Sequence, residues 1–166
     1  MSNEDLTLQE IFNLAVQNHQ NNNLQVAQNY YHKALKMDPD FTAVHYNLGD
    51  IFKKLGENLK AKDCYEKVIE INPSLADAHN NLGVIFDELG KNQKAKNSFE
   101  KAIEINPSFI NAYNNLGVTF KELGENQKAK DCLEKAIEIN PGFVDAHYNL
   151  GVTFKGLGEN QKAKDC

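Results

Sequence analysis

Three histidines, three cysteines and a row of amides are the side chains whose types and spacing could carry chemistry in this 166-residue sequence. His45, His79 and His147 would ligate a metal if they met at one point. Their spacing argues otherwise. His79 follows His45 by the same interval that separates Pro39 from Pro73, and His147 follows His79 by twice that interval, which marks the three as copies of one position in a repeat. Copies of one position stand a repeat step apart, roughly 10 Å at helix-packing distances, so packing histidines are expected and no metal site. His19 and His32 are isolated surface candidates. Cys64, Cys132 and Cys166 are separated by two such intervals and then one, and form no disulfide framework. They are expected as small hydrophobes at the edge of an apolar stripe, with Cys166 exposed. Carboxylates are spread by the repeat without a unique pair for acid–base work, and no glycine-rich loop follows a strand. No catalytic residue and no cofactor are therefore expected. What remains is Asn13, Asn47, Asn81, Asn115 and Asn149, one asparagine at every interval. A primary amide both donates and accepts, so a row of them could hold the backbone of an extended peptide whatever its side chains.

The elements that must position this row follow from the prolines. Pro39, Pro73, Pro107 and Pro141 are the only ones, evenly spaced along the chain. A fixed period within the range of roughly 20–50 residues signals a repeat array. With proline at repeat position 32, the expected organisation is a tail and cap over 1–7 and an array over 8–166, divided into 8–41, 42–75, 76–109, 110–143 and an incomplete 144–166. Large residues recur at position 7 (Leu14, Leu48, Leu82, Leu116, Leu150), position 11 (Phe52, Phe86, Phe120, Phe154) and position 24 (Tyr31, Tyr65, Phe99, Leu133). Small ones recur at position 8 (Ala15, Gly49, Gly83, Gly117, Gly151), position 20 (Ala27 through Ala163) and position 27. These spacings are helical, and large against small lets two helices approach closely. Each unit is read as a helix pair, A over about positions 1–14 and B over about 17–31, with no strand. Gly56, Gly90, Gly124 and Gly158, and Asn22 in the first unit, stand where helix A must turn. Asn58, Asn92, Asn126 and Asn160 are expected to cap helix B, which stops before the proline. Thr7 and Glu10 are placed as a capping box.

Leu-Gly at positions 7–8, the aromatic at 11, alanine at 20, the aromatic at 24, the small residue at 27 and proline at 32 resemble the tetratricopeptide repeat, whose period is about 34 residues. The resemblance covers residues 8–166. Position 4, often tryptophan in that family, is Ile11, His45, His79, Tyr113 and His147 here, and position 17, where the family often has an aromatic, is asparagine in units two to five. The resemblance implies an all-α fold, an α-α superhelix (solenoid) of antiparallel helix pairs, with helix A lining a concave groove. The five asparagines would then form a ladder along it, similar to the ladder in the repeat arm of O-linked N-acetylglucosamine transferases. Tyr46, Asn80, Asn114, Tyr148, Asp50, Lys53, Asp87 and Lys121, with Val84, Val118 and Val152, complete the expected floor. The lysine, asparagine and arginine clamp by which chaperone-binding members hold a C-terminal carboxylate is not expected, because position 5 holds no lysine and the chain has no arginine. Residues 115–132 and 149–166 differ only at Glu122 and Gly156, so duplication alone would repeat the asparagine. Asn13 nevertheless persists in the most diverged unit.

The net charge of −5 argues against a nucleic-acid groove, which wants a basic face. The first ten residues lack the basic and apolar regions of a signal peptide, and no apolar run has bilayer-spanning length, so a cytoplasmic protein without membrane contact is expected. Residue 166 falls at position 23, inside helix B of the fifth unit. The expectation is a fragment of a longer array, or a last unit that frays or packs on another molecule. The expected function is a non-enzymatic scaffold binding a protein or peptide in the groove. The alternatives are a recognition arm of a larger glycosyltransferase- or sulfotransferase-like enzyme, and self-association through the uncapped C-terminal end.

Overall fold

A computed structural model describes residues 6–159 and 161–165. Every regular element among them is a helix: α1 (Leu8–Gln20), α2 (Leu24–Met37), α3 (Thr42–Lys54), α4 (Asn58–Ile71), α5 (Ala76–Glu88), α6 (Asn92–Ile105), α7 (Ile110–Glu122), α8 (Asn126–Ile139), α9 (Val144–Gly156) and α10 (Lys162–Asp165). The expected all-α fold of helix pairs is the one observed, with odd-numbered helices as A and even-numbered ones as B. The chain falls into two compact units, Met1–Pro73 and Ser74–Cys166. In the first, α1 packs on α2, α2 on α3 and α3 on α4. In the second, each helix from α5 to α10 packs on the next, and α7 also touches both α5 and α9. Among the described residues no helix is long and apolar enough to cross a membrane.

Local signals account for the boundaries. The Thr7 hydroxyl accepts from the Glu10 N–H at 3.3 Å while the Glu10 carboxylate accepts from the Thr7 N–H at 2.8 Å, a closed capping box. Helix A ends in a left-handed residue at Asn22, Gly56, Gly90, Gly124 and Gly158. There the Glu57 N–H reaches the Phe52 carbonyl (2.9 Å) and the Gly56 N–H the Lys53 carbonyl (3.0 Å), the Schellman pattern. Helix B ends at Asp38, Asn106 or Asn140 with extended backbone and at Asn72 with φ −131° and ψ 87°, all outside the helical region that the following proline disfavours. Those side chains also fold the turn: Asp38, Asn106 and Asn140 accept from the N–H two residues on, at 3.2, 3.1 and 3.0 Å.

The capping role expected of Asn58, Asn92 and Asn126 is corrected. The N-caps are Glu57, Lys91 and Glu125, none with a side-chain cap bond. The Schellman turn takes the residue after the glycine as the N-cap, so the asparagine is already the first helical residue and does not reach back over the helix end. The Asn92 amide instead donates to Glu122 Oε2 at 3.1 Å. Asn160 lies outside the described residues, as do Cys166 and residues 1–5 of the tail.

The large-against-small pattern is literal contact. A Cβ on Gly49 would stand 2.8 Å from the Tyr65 ring, one on Gly83 2.5 Å from the Phe99 ring, and one on Gly117 2.7 Å from Leu133. Tyr31, Tyr65, Phe99 and Leu133 are buried, and in the second unit Leu133 and Ala136 cluster with Ala146, Leu150 and Phe154. The histidines have a specific place: His45 Nε2 lies 2.8 Å from the Pro39 carbonyl and His147 Nε2 2.9 Å from that of Pro141. A carbonyl only accepts, so Nε2 carries the proton and ties helix A to the turn before it. His79 is buried. Cys64 and Cys132 are half-buried, and burial pushes their thiols up to about 11 and about 12, which keeps the reactive thiolate scarce at neutral pH.

Candidate functional site

Positions 5 and 6 of helix A are adjacent residues on neighbouring faces, and α7 touches both α5 and α9. Position 6 of one helix therefore meets position 5 of the helix before it. Asn149 Nδ2 donates to Asn114 Oδ1 at 2.9 Å, and Asn115 Nδ2 donates to Asn80 Oδ1 at 3.2 Å. Asn114 Nδ2 approaches Asn115 Oδ1 at 3.5 Å. The four amides form one linked strip, running Asn149, Asn114, Asn115, Asn80. Asn80 and Asn114 are 8% and 9% exposed, whereas Asn115 and Asn149 are half-buried. Each bond uses one amide hydrogen and one oxygen lone pair of groups that offer two of each. The strip is thus fixed in orientation and still has hydrogen-bonding capacity toward solvent. Sequence reading placed these residues singly along the floor and missed their cross-linking. It also missed Thr119 and Thr153, both 1% exposed, whose hydroxyls donate to the Asn115 and Asn149 carbonyls at 3.0 and 2.8 Å.

The first unit is built differently. Asn13 is exposed and accepts from Gln9 at 2.9 Å. Burial pushes the Tyr31 phenol up to about 12, opposed by a hydrogen bond from the Asn47 amide and reinforced by the Asp50 charge. The His19 Nδ1 lies 3.5 Å from the Tyr31 hydroxyl. Burial lowers the pKa of that imidazole, against the pull of Asp50 and with the push of Lys54. The Tyr65 hydroxyl donates to Asp50 Oδ1 at 2.6 Å; burial first, then this carboxylate, raises the Tyr65 pKa. The Tyr46 and Tyr65 rings meet at 5.8 Å and 73°. Lys53 is half-buried.

Of the remaining candidates in the second unit, Asn81 and Lys121 are half-buried, and Tyr148 is 72% exposed beside Val144 at 76%. Asp87 is half-buried, and its Oδ1 has no hydrogen-bond partner among the described residues. Burial, then the charge and hydrogen bond of Glu122, raise its pKa, with Thr119 opposing. A carboxyl whose folded pKa is raised supports the fold below its ordinary pKa and loses that support as pH rises through the folded value. Asp87→Asn is therefore expected to raise the urea midpoint at pH 7 and to lose that gain by pH 3. Equal midpoint shifts at both pH values would contradict this account.

Models described as tetratricopeptide repeat match residues 20–57, 76–109, 110–143 and 132–165, and one described as TPR repeat matches 49–90. No curated protein matches. Among solved structures, the MamA protein is 26% identical over 95% of this chain and 86% of that one, with a TM-score of 0.88. YrrB, described as a TPR protein with an unusual peptide-binding site, is 27% identical over 96% and 82%, with a TM-score of 0.81. The first TPR of Spaghetti (RPAP3), bound to the HSP90 peptide SRMEEVD, is 25% identical over 70% and 93%, with a TM-score of 0.69. These findings support the repeat and its fold; they bring out no likeness to the transferase arm.

Proposed function

Because this chain belongs to the tetratricopeptide repeat family, we propose that it is a non-catalytic interaction scaffold whose helices α5, α7 and α9 hold an extended peptide of a partner protein. The observation that carries this reading is the linked amide strip, Asn149 to Asn80. An extended backbone presents an N–H and a C=O at every residue, and a strip of oriented amides answers both. The solved relatives with peptide sites or a bound peptide support the same class of partner.

The test is selection of a random twelve-residue peptide display library on the intact chain, followed by affinity measurement of the binders. Asn115→Ala with Asn149→Ala is expected to weaken them about tenfold or more, since each lost amide bond is worth about 0.5–1.5 kcal/mol. Circular dichroism should show the helices intact. A library that yields no binder, or binders indifferent to both substitutions, would overturn the proposal.

A further inference from the structure

We propose that the gap at Gly156, between the C-terminal ends of α7 and α9 and the start of α8, is a subsite for one side-chain carboxylate, an aspartate or glutamate, of the bound peptide. Gly156 stands where the preceding repeat has Glu122, and the surroundings of Glu122 show what the glycine leaves out. α7 meets α5 and α9 meets α7 in one register, because Asn115 bonds to Asn80 as Asn149 bonds to Asn114. In that register Glu122 stands beside Asp87 and accepts from the Asn92 amide at 3.1 Å. One repeat on, the corresponding residues are Gly156 for Glu122, Lys121 for Asp87 and Asn126 for Asn92. The Asn126 Nδ2 lies 3.6 Å from where a Cβ of residue 156 would stand. The amide donor is thus in place and its carboxylate is gone. Among the described residues neither Asn126 nor Lys121 has a hydrogen-bonded or ionic partner of its side chain. An ammonium and an amide N–H together are donors that suit a carboxylate.

The fold does not call for this glycine. A Cβ at 156 would meet nothing nearer than 3.6 Å, an ordinary contact, whereas one at Gly83 or Gly117 would run into a side chain at 2.5 or 2.7 Å. Gly156 lies inside α9 and is not among the left-handed glycines that end helix A. Glycine also weakens a helix relative to alanine. The helix dipole favours a lysine in the last turn of α7, which accounts for the charge of Lys121 but not for the missing carboxylate across from it. The carboxylates close by in sequence are engaged: Glu125 by Lys128, Glu159 by Lys162 and Glu122 by Asn92. Lys155, exposed beside Gly156, adds a second positive charge. Lys121 follows Asn114, and Gly156 follows Asn149, by seven residues. That is about 10 Å along a helix, a span that an extended chain covers in about three residues. A peptide held on the amide strip therefore reaches the gap.

The inference rests on the peptide-binding proposal but on different residues, so the two fail separately. The peptide library is selected in parallel on the intact chain, on Gly156→Glu, which restores the carboxylate of the preceding repeat, and on Lys121→Gln, which removes the charge. Peptides selected on the natural chain are expected to carry aspartate or glutamate at one fixed position. The net charge of −5 would by itself disfavour that preference. It should be absent on both variants. Replacing the selected acid by its amide should weaken binding to the natural chain about tenfold and leave binding to the variants unchanged. Binders with no acidic position, or an acidic preference that survives either substitution, would overturn the subsite and leave the scaffold standing. A library without binders would remove both.

Discussion

Replacing Phe99 by alanine is expected to lower the unfolding free energy by about 3–5 kcal/mol, measured by urea titration. Phe99 is 1% exposed on α6, and its ring occupies the space where Gly83 lets α5 come close. The reverse change tests the same contact. A Cβ on Gly83 would stand 2.5 Å from that ring, closer than real side chains come, so Gly83→Ala should cost about 1–3 kcal/mol through overpacking. Combined, the two should cost less than their sum, because the added methyl enters space the ring has vacated. Strict additivity would mean that the ring and the glycine are not packed as described.

Tyr65→Phe is the second large effect. It keeps the ring against Gly49 and removes only the hydroxyl that donates to Asp50 at 2.6 Å. Hydrogen bonds to charged groups are worth about 1.5–3 kcal/mol, and Asp50 still meets water, so a loss of about 1.5 kcal/mol is expected. Asp50→Asn should lose much less, since its amide oxygen still accepts. If the asparagine variant were the less stable of the two, the Asp50 charge would be contributing through some other group.

Much of this was legible because a repeat lets each residue be compared with its copies. The prolines set the register, and the glycines at the end of helix A fell where the left-handed turn is found. What the sequence did not show shares one cause. Comparing copies aligns like with like, whereas the contacts that matter join unlike positions. Asn115 was read beside Asn81 and Asn149, its copies, yet its amide is bonded to Asn80, a position 5 residue of the previous helix A. His45 and His147 are half-buried packing residues, as expected, and only their partner, a backbone carbonyl, stayed hidden, because no sequence pattern reveals it. Asn58, Asn92 and Asn126 have the right chemistry for caps and stand one residue too late, a difference set by the geometry of the turn. Asp50 stands where Val16, Val84, Val118 and Val152 recur, and that departure was the available signal for its bond to Tyr65.

The amide bonds of the strip join residues 35 apart in sequence, and α5, α7 and α9 pack on helices close to them in the chain. This has a kinetic consequence. Closing a loop of about 35 residues costs only about 0.6 kcal/mol more than closing one half as long, and that modest charge on chain entropy recurs unchanged at each repeat instead of growing with chain length. A chain wired in this way has low contact order and belongs with the fast folders, in the microsecond to millisecond range. The ruler that spaces the prolines therefore also limits how far any part of the second unit must search for its partner.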